Sequence, residues 1–311
     1  MHDIKCNVII DSCCDLPASV VDVPGVEVLR FPYLMNGEDR LDDMYTTMTA
    51  HDFYEAMRNG AVPSTAQVPI MMLTDMFKRA IESGVPTVYL SFTSGLSGSC
   101  NTAMLVRDQL VAENPGAELY VVDTKLASIA EGLLVYEAIR QRARGLSAQE
   151  LVEWAEEARY FVNEQFMVED LESLKRGGRI PASVAFAGSK LDVKPMLDIS
   201  LDGQLSLTGV ARGRKKGIRQ LAEYYRKHAI EPGSGGKIVI GSADCPKDVE
   251  RLKAELYKVD ETLLFLETSI GPVIGSHVGP GMLAIAFMGE DSREELSVSD
   301  RIARKVKGKN S

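Results

Sequence analysis

Positive charge is in short supply in this 311-residue chain: 35 Lys and Arg stand against 44 Asp and Glu, a formal net charge of −9. A nucleic-acid binder usually needs a basic face, so nucleic acid is not expected among the partners. Cysteine is scarce too, with five residues, Cys6, Cys13, Cys14, Cys100 and Cys245, scattered and odd in number. That excludes a disulfide framework and suits a reducing cytoplasm, the expected location. Cys13 and Cys14 are adjacent, but no second Cys or His pair follows at zinc spacing, so no metal is expected. No apolar run approaches the roughly 18 residues of a membrane span. The start, Met1-His2-Asp3-Ile4-Lys5, lacks the basic and apolar regions of a signal peptide. The Gly-Lys-Ser/Thr of a P-loop and the Gly-x-Ser-x-Gly elbow of a hydrolase are both missing.

What the chain does have is three glycine-rich polar segments: Ser91–Ser99, Lys175-Arg176-Gly177-Gly178-Arg179, and Gly275-Ser276-His277-Val278-Gly279-Pro280-Gly281. Each puts glycines beside hydroxyl, imidazole or guanidinium groups. Glycine lets a backbone approach a ligand closely or adopt positive φ. The neighbouring side chains then offer donors to an oxygen-rich or anionic group. Three such segments in one chain suggest a site assembled from distant parts of the sequence.

The first half alternates strand-like and helix-like stretches. Asn7–Ile10, Val88–Phe92 and Leu119–Val122 read as buried strands. Helices are expected from Val68-Pro69 to Gly84, through Ala103, Val106 and Leu110, and over Ser128–Arg144. Ser147-Ala148-Gln149-Glu150 is a capping-box pattern opening another. This rhythm implies a mostly parallel sheet covered by helices. Ligands of such sheets sit beyond the carboxyl ends of the strands, where Asp11, Thr93-Ser94 and Asp123 fall. From about Gln165 the pattern changes. Lys194–Ser200 and Gln204–Ala211 flank a Leu201-Asp202-Gly203 turn and read as a hairpin. A basic helix from Arg214 to about His228 follows, then a glycine-rich loop at Pro232–Gly236. The strands Lys237–Gly241, Leu263–Glu267 and Leu283–Phe287, with a helix from Pro246, complete the pattern, and Glu290–Ser311 reads as a surface helix or frayed tail. The expected fold is α/β in two domains: an N-terminal mostly parallel α/β/α sheet domain, residues 1–164, and a C-terminal mixed-sheet α+β domain, residues 165–311.

Each segment has an ordinary reading beside its functional one. Thr93-Ser94-Gly95-Leu96-Ser97-Gly98, between a strand and a helix, is either an anion site or a tight turn with capping serines. Ser64-Thr65-Ala66-Gln67 reads first as a helix N-cap. Gly177-Gly178-Arg179 is either a helix C-cap with a solvated arginine, or an arginine held by glycines to meet a carboxylate or phosphate. His277, between glycines, reads as part of a backbone-lined pocket wall, able to donate to or accept from a carboxyl group.

Taken together these residues resemble the DegV family, whose characterised members are bacterial fatty acid-binding proteins of the FakB type. The matching pieces are Asp11-Ser12 with Asp15-Leu16-Pro17, Thr65-Ala66-Gln67, Thr93–Gly98, Val122-Asp123-Thr124, Leu174–Arg179, Lys194-Pro195-Met196-Leu197 and Ile274–Gly281. They occur in the family's order across almost the whole chain. The resemblance implies two α/β domains with a fatty acid in a buried tunnel at their junction and no other cofactor. It implies carboxyl-binding roles for Thr65, Ser94 and His277, with Thr93 and Ser97 as neighbours. It further implies a non-enzymatic partner for a separate fatty acid kinase, which makes an acyl phosphate that feeds phospholipid synthesis, with Arg179 and Arg212 serving that kinase. Transient contact with a membrane surface is compatible with this role. The family often has Ser-Ser, Thr-Ser-Gln and His-Thr-Gly where this chain has Thr93-Ser94, Thr65-Ala66-Gln67 and His277-Val278-Gly279, so Ala66 and Val278 each lack a hydroxyl. A buried carboxylate needs several donors. Each buried methylene contributes ~0.8 kcal/mol, so a sixteen-carbon chain could contribute on the order of 10 kcal/mol before association costs. Two other readings stay open: a Ser/His hydrolase using Ser94 or Ser97 with His277, and a dihydroxyacetone-kinase-like subunit. Phe186, Met196 and Leu283 are candidate tunnel-lining residues.

Overall fold

The computed structural model describes residues 3–180, 192–230 and 236–294. The expected lining residue Phe186, most of the loop at Pro232–Gly236 and the tail beyond residue 294 lie outside the described residues. In the first half the strands are β1 (Asn7–Asp11), β2 (Val26–Leu29), β3 (Pro32–Met35), β4 (Glu38–Leu41), β5 (Ser64–Thr65), β6 (Thr87–Ser91) and β7 (Leu119–Asp123). In the second they are β8 (Val162–Met167), β9 (Val193–Ile199), β10 (Leu205–Arg212), β11 (Lys237–Ser242), β12 (Leu264–Ser269) and β13 (Leu283–Met288). The helices are α1 (Ala18–Val21), α2 (Ala50–Arg58), α3 (Ile70–Glu82), α4 (Ser99–Glu113), α5 (Ser128–Ala143), α6 (Ala148–Ala158), α7 (Glu172–Arg176), α8 (Arg214–His228), α9 (Pro246–Tyr257) and α10 (Pro272–Val278).

The first sheet runs β2-β1-β6-β7 and is parallel throughout. Its central strands are apolar on both faces, as a sheet covered on both sides requires. Ile9 and Tyr89 face Leu73, Phe77 and Ala103 of α3 and α4. Val8, Ile10 and Leu90 face Val135, Ala138 and Leu151 of α5 and α6. A small antiparallel sheet, β4-β3-β5, is added to this half. The second sheet, β10-β9-β8-β13-β11-β12, is antiparallel except for the β11–β12 pair. α8 and α9 cover its outer face. The α/β class with one parallel and one mixed sheet is therefore as expected. The change from one sheet to the other falls at residues 159–161, because β8 already pairs with β13 from Val162 onward.

α5 joins the two halves. It packs against β8, β11 and β13 as well as the turn at Ser12–Cys14. Its burial runs almost all round, from Ser128 through Val135, which is what a helix between two layers needs. Ile129, Ala130 and Leu133 share a core with Val239 and Ala284 of the second sheet. The expected hairpin, the basic helix and the capping box at Ser147 and Glu150 are all present. One local expectation fails. Ser64-Thr65 is strand β5 rather than a helix cap, since Pro69 is the N-cap of α3. His277 lies in the last turn of α10, with Gly279 at positive φ closing the helix. The antiparallel sheet built from residues 32–65, not among the expected elements, has strands too short and too mixed in polarity to signal themselves.

Candidate ligand-binding site

The halves meet through polar contacts that set the site between them. Asp15 Oδ1 accepts from Gly271 N at 2.9 Å, and the Tyr45 and Tyr54 hydroxyls donate to Ile270 O at 2.8 and 2.7 Å. Thr93 Oγ1 donates to Gly203 O at 3.0 Å. Gly95 is needed there, because a Cβ on it would overlap the Gly203 carbonyl. The strand ends do gather as expected. The Asp11 carboxylate accepts from Phe92 N at 2.6 Å and the Tyr89 hydroxyl at 2.5 Å, and Asp123 Oδ1 accepts from Ser94 N at 3.1 Å. Both carboxylates shape the loop rather than await a ligand.

Between the sheets lies a narrow cavity of about 70 Å³, well short of the roughly 300–1,000 Å³ usual for small-molecule sites. Its walls are mostly apolar: Phe31, Phe92 and Leu96 from the first half, Phe166, Leu174, Ile199, Leu205, Val273 and Met282 from the second. Thr65, Ser97, Arg179 and His277 also line it. Thr65 Oγ1 lies 2.8 Å from His277 Nε2. The other imidazole nitrogen, Nδ1, is buried without a hydrogen-bond partner among the described residues. Burial, then the charges of Arg179 and Arg176, push the His277 pKa down to about 4. At neutral pH the imidazole is therefore neutral.

The glycine pair before Arg179 has a specific reason. A Cβ on Gly177 would overlap His277 Nδ1, so glycine there makes room for the imidazole. Gly178 takes φ +70°, in the left-handed region, with open space around it. Arg179 is thereby turned back, with Nη1 donating to Gly177 O at 2.6 Å and Nε to Leu96 O at 3.2 Å. Two of the three glycine-rich segments thus fit against each other. Gly275 serves the same end, since a Cβ there would come within 2.6 Å of the Tyr54 hydroxyl.

The remaining expected site residues sit elsewhere. Thr93 is buried against Gly203, and Ser94 Oγ accepts from Lys125 Nζ at 2.8 Å; neither lines the cavity. Ser97 does line it, while its Oγ also accepts from Ser99 N at 3.2 Å at the start of α4. Arg212 is exposed at the end of β10. Met196 and Leu283 belong to the core under α8, on the far face of the second sheet. Sequence reading missed the cavity residues Cys13, Ser128 and Glu164. The paired cysteines split, Cys13 toward the cavity's core and Cys14 toward the α5–α6 core. Burial pushes both thiols up, so neither is a reactive thiolate. Among the described residues, His51, Glu55 and Asp244 have metal-like spacing. Arg58 Nη1 already lies 2.5 Å from Asp244 and 2.7 Å from Glu55, so a guanidinium supplies the positive charge there.

A hydrolytic triad would put serine on one imidazole nitrogen and a carboxylate on the other. Here a threonine holds Nε2, and Nδ1 has no partner among the described residues.

Comparison with known proteins agrees with this arrangement. The model of the DegV family, described as uncharacterised proteins, matches residues 5–290. A DegV domain-containing protein of Clostridium perfringens is 36% identical over 283 residues, covering 90% of this chain and 96% of its own. A DegV family protein of Thermus thermophilus, described by its fatty acid binding, has 28% identity and a TM-score of 0.80, with 92% of this chain and all of that one covered (100%). A lipid-binding DegV protein of Thermotoga maritima has 26% identity and a TM-score of 0.79 over 92% of this chain and 99% of its own.

Proposed function

The chain belongs to the DegV family, and we propose that it is a non-enzymatic carrier that holds a long-chain fatty acid in the cavity between its halves. The observation that carries the reading is the combination at one site of an apolar cavity and the Thr65–His277 pair. A carboxyl group placed on that pair would meet a hydroxyl, a neutral imidazole and the nearby Arg179 guanidinium. These are the partners a desolvated carboxylate or carboxylic acid requires. The apolar walls would take the acyl chain by moving apart, since the cavity of about 70 Å³ is smaller than a long chain. The fatty acid binding described for the Thermus thermophilus relative points the same way.

The finer reading is that residues 1–164 and 165–311 act as two domains clasping the acid in the bacterial cytoplasm. Among the described residues no helix is long and apolar enough to cross a membrane. The carboxyl group would be offered to a separate fatty acid kinase, and the acyl phosphate would feed phospholipid synthesis. Arg179, at the cavity with its guanidinium beside His277, would meet the phosphoryl group or the kinase, and exposed Arg212 would contribute from outside. No cofactor is invoked.

The test is native mass spectrometry of the purified protein with extraction of its lipid. One fatty acid per chain is expected. Equal native and denaturing masses, with no uptake of added fatty acid, would overturn the reading. The kinase step is tested apart, by trapping acyl phosphate with hydroxylamine when a kinase and ATP are supplied; no trapped product from a loaded carrier would remove that step alone.

A further inference from the structure

A further polar side chain, apart from the Thr65–His277 pair, breaks the apolar lining. Glu164 stands in β8, where Val162, Glu164 and Phe166 share the face turned toward the first half of the chain. It is only 6% exposed. Its Oε2 has no hydrogen-bond partner among the described residues. Glu164 and Ile199 line the apolar cavity, and on their other side border a polar cleft with Lys125, Arg159 and Asp198. They form the partition between the two spaces. The cations of the cleft are engaged elsewhere, Lys125 with Asp123 at 2.6 Å and Arg159 with the Asp123 carbonyl at 2.7 Å. The charged groups that act on Glu164 are Asp198 and Asp15, both acidic, and burial together with them pushes its pKa well up. These surroundings favour the protonated carboxyl, which has one proton to donate.

A neutral carboxyl in an apolar wall is costly while it lacks a partner. Leucine would fill the same space without that cost. A buried polar group left open toward a cavity is what a ligand-recognising group looks like before its ligand arrives. We propose that Glu164 hydrogen-bonds a hydroxyl or keto oxygen carried partway along the acyl chain, so that the cavity selects oxygenated long-chain fatty acids over unsubstituted ones. The inference rests on the fatty-acid reading above. In it, Thr65 on β5 and His277 on α10 hold the carboxyl group, and Glu164 on β8 reads the chain from a different wall. A site built to bond a ligand hydroxyl rejects the analogue without it, because the protein group is then left unpaired.

The experiment is competition binding at pH 7 on delipidated protein, with octadecanoic, 10-hydroxyoctadecanoic and 12-hydroxyoctadecanoic acids. Wild type is expected to favour at least one hydroxy acid by about tenfold, the worth of one added hydrogen bond. Glu164→Leu should lose that preference and bind octadecanoic acid more tightly than wild type does. Glu164→Gln, which keeps donor and acceptor, should retain part of the preference. If Glu164→Leu fails to fold by circular dichroism, the wild-type ranking and Glu164→Gln decide. Equal or tighter wild-type binding of octadecanoic acid would overturn the inference while leaving the carrier reading intact, as would a hydroxy preference unchanged in Glu164→Leu. If none of the three acids binds, the carrier reading falls and the inference with it.

Discussion

Two neighbouring parts of the junction bury titratable groups in opposite ways. On one side Asp11, Asp15, Asp42 and Glu131 crowd together around β1, the loop after β4 and the start of α5. On the other, His277 lies beside Arg179 and Arg176 at the wall of an apolar cavity. The acidic groups mostly have protein partners. Asp15 accepts from Ser128 Oγ at 2.5 Å and from Gly271 N, Asp11 from Phe92 N and Tyr89, and Asp42 Oδ1 from Met44 N at 3.0 Å. The cavity side instead leaves His277 Nδ1 and Glu164 Oε2 without partners among the described residues. Satisfied burial ties the halves together, and unsatisfied burial marks where something else is to bind. Glu131 and Asp42 depart from this pattern: neither carboxyl oxygen of Glu131, nor Asp42 Oδ2, has a partner among the described residues, and nothing in the structure explains it.

The two sides also titrate with opposite consequences. Burial raises Asp42 to about 7 from its ordinary 3.8. The stability it allows is full below the unfolded value and is lost as pH rises through about 7. His277 is depressed to about 4 from 6.5, so its contribution is full above 6.5 and is lost as pH falls through that window toward 4. The largest expected effect is therefore in Asp42→Asn. At pH 8 it should gain stability over wild type on the order of a few kcal/mol, less whatever the changed hydrogen bonds cost. At pH 4 the gain should vanish. Urea denaturation at both pH values checks this, and an equal effect at both would mean that Asp42 does not titrate in the window.

Gly177→Ala tests the cavity side by space rather than charge. The added methyl would overlap His277 Nδ1, while φ at −74° raises no backbone objection. The imidazole must move, breaking its bond to Thr65. Overpacking of this kind costs about 1–3 kcal/mol, and retention of bound fatty acid should fall by about tenfold with the loss of that polar pair. Gly178→Ala is the control. It strains a left-handed residue, costing about 1 kcal/mol, but reaches no side chain. Lipid exchange and denaturation on both variants separate the two effects. Equal lipid loss would assign the glycine pair to backbone shape alone.

Much of this was legible in the sequence, and the reasons for the rest are physical. Continuous apolar runs such as Asn7–Ile10 and helices with a strong stripe such as α3 announce themselves, because burial repeats along them. The hairpin declared itself by its Leu201-Asp202-Gly203 turn, and Gly203 indeed takes positive φ. Which hydroxyls face the cavity was not readable. Thr93, Ser94 and Ser97 are near neighbours in one loop, yet only Ser97 lines the space, because Lys125 and Gly203 approach the other two from residues 31 and 110 positions away. Glu164 gave no local signal, since a carboxyl in a short strand is usually on the solvated face. The His277–Gly177 fit was present only as two separate glycine clusters. Their complementarity exists across a sequence separation that pattern reading does not span.

The smallest expected effect concerns what keeps His277 neutral. Burial is the larger cause of its depressed pKa, and the Arg179 charge comes second. Arg179→Gln removes the charge while leaving the apolar walls in place. Taking away a nearby positive charge makes protonation easier, so the imidazole pKa should rise from about 4 yet stay below the ordinary 6.5. The acid-side loss of stability should then begin at the same pH, because the unfolded value is unchanged, but end sooner and total less. Titration of the His277 ring protons by NMR, together with stability measured from pH 7 to pH 4, reads both quantities. A pKa that climbed all the way to 6.5 would assign the whole depression to Arg179. The imidazole would then sit in water rather than in an apolar wall, and the contrast between the two sides of the junction would be one of neighbouring charge alone.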